Sequence, residues 1–173
     1  MSASLQAAGV PIGRPTMPSL ALRLDVIQLY AEYAACLDEG RIDDWPKLFI
    51  EHCHYRLVPR ENHDRGLPLA TMDLIGRGML LDRAYAVQGT LFHAPYYQRH
   101  ILGPVLIKGE ADDGIRAECN YLVIRTKRDQ MSEVFNAGRT VDRIVGTAEG
   151  LRFAEKTCIF DSELVPNSII YPI

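Results

Sequence analysis

Histidines and cysteines are the residues that move protons near neutral pH and bind soft metals. The chain holds five His and four Cys. The densest cluster is His52-Cys53-His54. On a strand, His52 and His54 share one face and Cys53 faces away. A zinc site there needs two further ligands, and His63 and Asp64 are the nearby candidates. A Rieske [2Fe–2S] centre needs two Cys and two His in close pairs, yet no Cys here has a His two or three positions after it. A facial triad for mononuclear iron needs two His and one carboxylate converging. The cluster therefore reads as structural or surface, and the chain is expected to hold no metal. The run Gly76-Arg77-Gly78-Met79-Leu80-Leu81 starts like a dinucleotide fingerprint but has Leu at the third glycine position, so it reads as a helix start. There is no P-loop and no Gly-x-Ser-x-Gly elbow.

General acid–base chemistry is the remaining enzymatic option. His100 lies in Tyr96-Tyr97-Gln98-Arg99-His100-Ile101-Leu102. Pointing inward, it would meet Tyr33 and Asp38 from the first helix, and a His with a carboxylate and a phenol in an enclosed pocket can abstract or deliver a proton. The plainer reading carries more weight: Arg99 and His100 as hydrogen-bonded structural residues at a strand end or a subunit contact. Trp45 reads as an anchor for a short helix or as part of an interface.

These residues must be positioned by a short series of elements. Leu22, Val26, Leu29, Tyr30, Tyr33 and Leu37 recur at steps of three and four, one apolar face of a helix over Leu20–Glu39. Ser19 is its candidate N-cap, and Gly40 follows where a left-handed C-cap belongs. A short helix is expected over Asp43–Phe49, with Pro46 in its first turn. Alternation over Cys53–Pro59 predicts a strand, and the polar stretch Glu61–Pro68 predicts a loop. Met72–Ile75 suggests a short strand and Gly78–Val87 a helix. Four long apolar stretches follow: Tyr97–Ile107, Ile115–Thr126, Ser132–Val145 and Leu151–Leu164. Turn signals lie between them, so consecutive strands should pair as antiparallel hairpins. Ala137-Gly138 suggests a bulge that bends the sheet. Helices first and strands afterwards is an α+β order. A strongly bent antiparallel sheet around the N-terminal helix would be the cone called the nuclear-transport-factor-2-like fold. Residues 1–17, rich in Pro and Gly, read as an arm, and residues 18–173 as one domain.

Composition narrows the function classes. Of the 173 residues, 47% are hydrophobic and 24% charged, the balance of an ordinary globular protein. A net charge of −3 gives no global attraction to nucleic acid or anionic lipid. No apolar run approaches the roughly 20 residues needed to span a bilayer. Met1 to Met17 does not have the pattern of a secretory signal. Cys36, Cys53, Cys119 and Cys158 are thus expected as reduced core thiols in a cytoplasmic protein.

Several segments together resemble one known family. They are Leu29-Tyr30-Ala31-Glu32-Tyr33-Ala34 with Asp38, Trp45-Pro46-Lys47-Leu48-Phe49, Cys53-His54-Tyr55-Arg56, and Glu61-Asn62-His63 with Gly66-Leu67. Met79 to Arg83, Tyr97-Gln98-Arg99-His100-Ile101-Leu102-Gly103 and the closing Asp161 to Asn167 complete the set. In order and spacing they resemble the small (β) subunits of aromatic-ring-hydroxylating oxygenases. Arg60-Glu61-Asn62, His93 to His100 and the tail Pro166 to Ile173 are most similar to small subunits of salicylate 5-hydroxylase, with those of anthranilate and terephthalate dioxygenases as relatives. The resemblance implies the cone fold and a large (α) partner subunit carrying a [2Fe–2S] Rieske cluster, mononuclear Fe(II) and the substrate pocket. It implies three large and three small subunits, fed from NAD(P)H through a reductase and a ferredoxin. It supplies no catalytic residue to carry over. The expected role is structural, in a hydroxylase of an aromatic acid such as salicylate, with no nucleic acid or membrane partner. The rival expectation is a stand-alone dehydratase or isomerase of the same fold using His100, Asp38 and Tyr33.

Overall fold

The computed structural model describes residues 18–162 and 169–173. The expected arm, the end of the expected last strand and most of the closing motif lie outside these residues. Helix α1 spans Leu20–Asp38 and starts where Ser19 Oγ accepts from the Leu22 N–H at 3.1 Å. It ends at Glu39, after which Gly40 takes φ +70°, a conformation a Cβ disfavours. Its buried face holds Val26, Leu29, Tyr30, Tyr33 and Leu37, as the spacing predicts, and also Ala34 and Cys36, while Leu22 is half-buried.

The expected short helix is a single 3-10 turn, Trp45–Leu48, held to that length by Pro46 and the strand that follows at once. Strand β1 runs over Phe49–Pro59. The expected loop after it contains a helix instead, α2, Arg60–Asp64. Its side chains are polar throughout, so no apolar period marks it, and the pairs Arg65–Glu61 and Arg60–Asp64 at i,i+4 supply local support. Strand β2, Met72–Ile75, leads directly into α3, Gly76–Gly89.

The expected strand Tyr97–Ile107 is two strands. β3 covers Tyr96–Leu102 and β4 covers Leu106–Ala111. Gly103-Pro104 separates them: Pro104 has no N–H for a ladder, and the Gly103 N–H turns to the Asn120 carbonyl at 2.8 Å. Both strands pair with β5, Gly114–Lys127. β6, Glu133–Thr147, and β7, Gly150–Phe160, complete the sheet, whose order is β2-β1-β7-β6-β5-β3 with β4 also on β5. One pair, β1 with β7, is parallel, so the sheet is mixed rather than antiparallel throughout. The hairpin rule constrains only strands adjacent in sequence, and these two are joined through the rest of the domain.

The bend is not made by a bulge at Ala137-Gly138, which stays in register with Leu122 and Tyr121. The register slips two residues before Ala137, at Phe135, and again between Arg143 and Ile144. Gly138 has a different reason. A Cβ there would lie 2.0 Å from the Ile159 carbonyl oxygen, so the backbones of β6 and β7 approach as only glycine allows. Inside the curve, Tyr30 and Tyr33 from α1 meet Phe153 edge-on at 5.5 and 5.7 Å, which seats the helix in the sheet. The result is an α+β cone: an open, curved sheet with β2 and β3 at its edges and α1 seated inside it.

Candidate functional site

The C-terminal end of α1 meets the inner side of β3. Alternation along β3 turns Gln98 and His100 inward and Tyr97, Arg99 and Ile101 outward. The Asp38 carboxylate accepts from the His100 backbone N–H at 2.9 and 3.0 Å, and its Oδ1 lies 2.6 Å from His100 Nδ1. A side chain here does what a neighbouring strand does elsewhere: it satisfies an edge N–H. Gln98 adds a bond from Nε2 to the Leu37 carbonyl at 3.2 Å. The His100 and Asp38 side chains are 2% and 6% exposed. His100 Nε2, Gln98 Oε1 and Tyr96 Oη are buried without a hydrogen-bond partner. A cleft of about 250 Å³ opens beside them, lined by Asp38, Gln98, Tyr96 and Tyr171.

The structure thus joins His100 to Asp38 but not to Tyr33. The Tyr33 hydroxyl donates to the Ile173 main-chain oxygen at 2.6 Å, and its ring packs edge-on against Phe49 and Phe153. Burial pushes its pKa well up, so it stays a neutral donor. Arg99 is exposed on the opposite face. Trp45 is fully buried, edge-on to Tyr55 at 5.2 Å and Phe49 at 5.6 Å, which anchors the 3-10 turn in the core.

His52 and His54 share a face of β1, and Cys53 is buried opposite. His54 Nε2 pairs with Asp73 Oδ1 at 2.5 Å, while His63 pairs with Asp64 on α2 at 3.1 Å. Among the described residues no three or more His, Cys, Asp or Glu are grouped to hold a metal.

A second polar cluster, absent from the sequence expectations, lies inside the cone. Lys156 is 1% exposed, and its ammonium reaches Asp142 Oδ2 at 3.1 Å. It also lies 4.5 to 4.7 Å from the ring centroids of Tyr30, Tyr33 and Phe153. Asp142 Oδ2 accepts in addition from Thr140 Oγ1 at 2.7 Å and from the Tyr30 hydroxyl. Parity was the available signal: Lys156 alternates with Cys158 and Phe160, and Asp142 with Thr140 and Ile144, all buried.

A SnoaL-like domain model matches residues 18–157. The anthranilate 1,2-dioxygenase small subunit of Burkholderia cepacia is 33% identical over 149 residues, 86% of this chain and 92% of the relative. The chain belongs to the small-subunit family of aromatic-ring-hydroxylating dioxygenases. Another family member, terephthalate 1,2-dioxygenase terminal oxygenase subunit beta 2 of Comamonas sp, is 28% identical and covered over 97% of its length. The solved beta subunit assigned to an aromatic-ring-hydroxylating dioxygenase of Novosphingobium aromaticivorans shares 34% identity at TM-score 0.78, covering 84% of this chain and 93% of that one.

The redox groups of such oxygenases can be tested against this small subunit's own residues. A Rieske cluster takes two Cys and two His. Here the four cysteines sit on α1, β1, β5 and β7, each buried and unpaired. The thiols of Cys36, Cys119 and Cys158 donate to backbone carbonyls. Burial pushes Cys36 up to about 11 and Cys158 up to about 12, away from the thiolate a metal requires. The described residues do not fit the cluster.

Proposed function

We propose that this chain is the structural small subunit of a multicomponent hydroxylase acting on an aromatic acid such as salicylate. Its work is to hold large subunits that carry the Rieske cluster and the mononuclear iron, three large with three small. Electrons reach them in the cytoplasm from NAD(P)H through a reductase and a ferredoxin. The observation that carries this reading is the near end-to-end similarity to the anthranilate dioxygenase small subunit.

The geometry supports bracing over proton transfer. His100 is sealed by burial and spends Nδ1 and its backbone N–H on Asp38. Tyr33, which the stand-alone dehydratase or isomerase reading needs, is bonded to the far end of the chain. In the bracing reading His100 fixes the edge strand, and Arg99 beside Tyr97 and Ile101 offers a planar cation and apolar area to a partner.

The test is co-expression of His100→Ala with the large subunit, size-exclusion chromatography and iron quantification. Complex yield or Tm falls, while turnover per assembled, iron-replete complex stays within a few-fold of wild type. Loss of a general base typically costs about 10²–10⁴-fold. A hundredfold fall in a fully assembled, metal-loaded complex overturns the reading.

A further inference from the structure

Along β3 the outward residues are Tyr97, Arg99 and Ile101, while Gln98 and His100 are buried. The register carries that row across the sheet. Arg99 stands opposite Ile124 of β5, which stands opposite Val134 of β6, and Ile101 stands opposite Leu122 of β5. Directly opposed residues share a face, so these six side chains form one patch on the outer side of the sheet. Tyr97 is 81% exposed, Val134 65% and Ile101 50%. Towards the other edge of the same face, Val58 of β1 and Ile159 of β7 are buried beside α2. Exposed apolar side chains gathered in one area mark an interaction site.

The charges say what covers it. The Arg99 side chain makes no hydrogen bond or ion pair among the described residues, and it stands in the middle of this apolar area. Burying a cation without a partner is costly, so a surface that covers Arg99 must bring an acceptor. A carboxylate matches a guanidinium through two parallel bonds. A second copy of this chain does not supply one. An isologous contact sets the face against itself, and the flanking acids of these strands, Glu118 and Glu133, are already paired with Lys108 at 3.7 Å and Arg125 at 2.7 Å. Strand addition at β3 is closed as well, since Asp38 already takes the edge N–H of His100 at 2.9 and 3.0 Å. What is left for a partner is the face.

We propose that the outer face of β3, β5 and β6 around Arg99 is the docking surface for the large subunit, which sets against it an apolar patch bearing a carboxylate aimed at Arg99. The proposal rests on the small-subunit reading above and adds the place and the chemistry of the contact.

The experiment co-expresses the full chain with its large subunit and follows dissociation of the purified complex on dilution, at low and high salt. Arg99→Glu and Ile101→Asp are each expected to prevent assembly or to speed dissociation by about thirtyfold or more, the scale of a hot-spot residue. Arg99→Gln, which keeps the shape, speeds it less and flattens the salt dependence seen in wild type, because the screened charge pair is gone. Tyr85→Ser, which removes an exposed aromatic from α3, stays within about twofold. Arg99→Glu and Ile101→Asp complexes that dissociate like wild type overturn the proposal, as does an unchanged salt dependence in Arg99→Gln. Sedimentation of the chain alone tests the other occupant: a dimer lost on Ile101→Asp makes the face a self-contact and overturns it too. A wild-type chain that retains no large subunit overturns the small-subunit reading itself, whereas a wild-type complex insensitive to the substitutions overturns the docking face alone.

Discussion

Two buried polar pairs in this molecule each hold one aspartate and do different work. Lys156 and Asp142 face each other directly across β6 and β7, at 3.1 Å. Asp38 and His100 join a helix end to an edge strand, at 2.6 Å. In the first, three rings lie within cation–π distance of the ammonium, and the carboxylate oxygen takes a hydroxyl from Thr140 and one from Tyr30. In the second, the carboxylate is fully engaged, but the far side of the imidazole is not: Nε2 is buried without a partner. Burial alone does not tell a residue's role. Each pair leaves one buried atom unmet, Asp142 Oδ1 in the first and His100 Nε2 in the second. What differs is place: a pair between two interior strands consolidates the sheet, whereas a pair between a helix end and an edge strand positions that strand.

The largest expected effect separates the two pairs. Asp142→Ala leaves an uncompensated ammonium in the cone and should cost about 3–5 kcal/mol in urea unfolding. The double change Asp142→Leu with Lys156→Met should recover much of that loss, since removing both charges removes the desolvation cost as well. A single-mutant loss below about 1 kcal/mol would mean that water or a relaxed core shelters Lys156, and the contrast would collapse.

Next comes the helix that carries Asp38. Leu29 and Leu37 are 3% and 2% exposed on the buried face of α1. Truncating either to Ala should cost roughly 2–5 kcal/mol, the usual range for a buried Leu. Losses under about 1 kcal/mol at both would show that α1 is not anchored by this face, and Asp38 would then have no rigid support.

A smaller effect is expected at the edge pair itself. Asp38→Asn keeps the shape but weakens charge-assisted bonds to the His100 ring and backbone, so a loss of about 1–3 kcal/mol follows. Its signature is local: the His100 amide should exchange faster than its β5 neighbours. Unchanged protection at that amide would assign the capping of β3 to something other than Asp38.

Much of this was legible in the sequence, for identifiable reasons. Tyr30, Tyr33 and Leu37 repeat at helical spacing, so the buried face of α1 could be read directly. Asp38 and His100 could be paired because a carboxylate at a helix end and an inward His on a facing strand are complementary in type. Gly103-Pro104 also carried its signal, since Pro cannot donate to a ladder, yet the apolar residues on both sides masked the break. Three features had no local signal. The parallel pairing of β1 with β7 depends on where distant segments meet. Tyr33 finds its partner 140 residues away in the tail. Lys156 and Asp142 face inward by strand parity, but each compensates a charge that only the other strand reveals.

The smallest effect expected comes from a third pair, whose carboxylate is open to water while its guanidinium is buried, and it serves as the control for what burying the acid does. Arg125 donates from Nε and Nη2 to Glu133 Oε1 at 2.9 and 2.7 Å. The Arg125 side chain is 6% exposed and that of Glu133 48%. The guanidinium lies 4.2 Å from the Phe135 ring centroid, so it keeps its seat without the carboxylate. Arg125, chiefly through its hydrogen bonds and then its charge, holds the Glu133 carboxyl below the usual range. A depressed folded-state pKa contributes stability that is fully present above the unfolded pKa and is lost as pH falls through the folded one. Glu133→Gln should therefore lower Tm slightly near neutrality, and the gap to wild type should close on acidification below about pH 4, the range of an ordinary Glu. Added salt should narrow the gap at neutral pH, because exposed charges are screened. Tm measured for both proteins across that range, at low and high salt, is the check. A gap that persists unchanged into acid would show that the amide variant loses packing rather than charge. The pair with the exposed carboxylate would then be no control for the two buried ones.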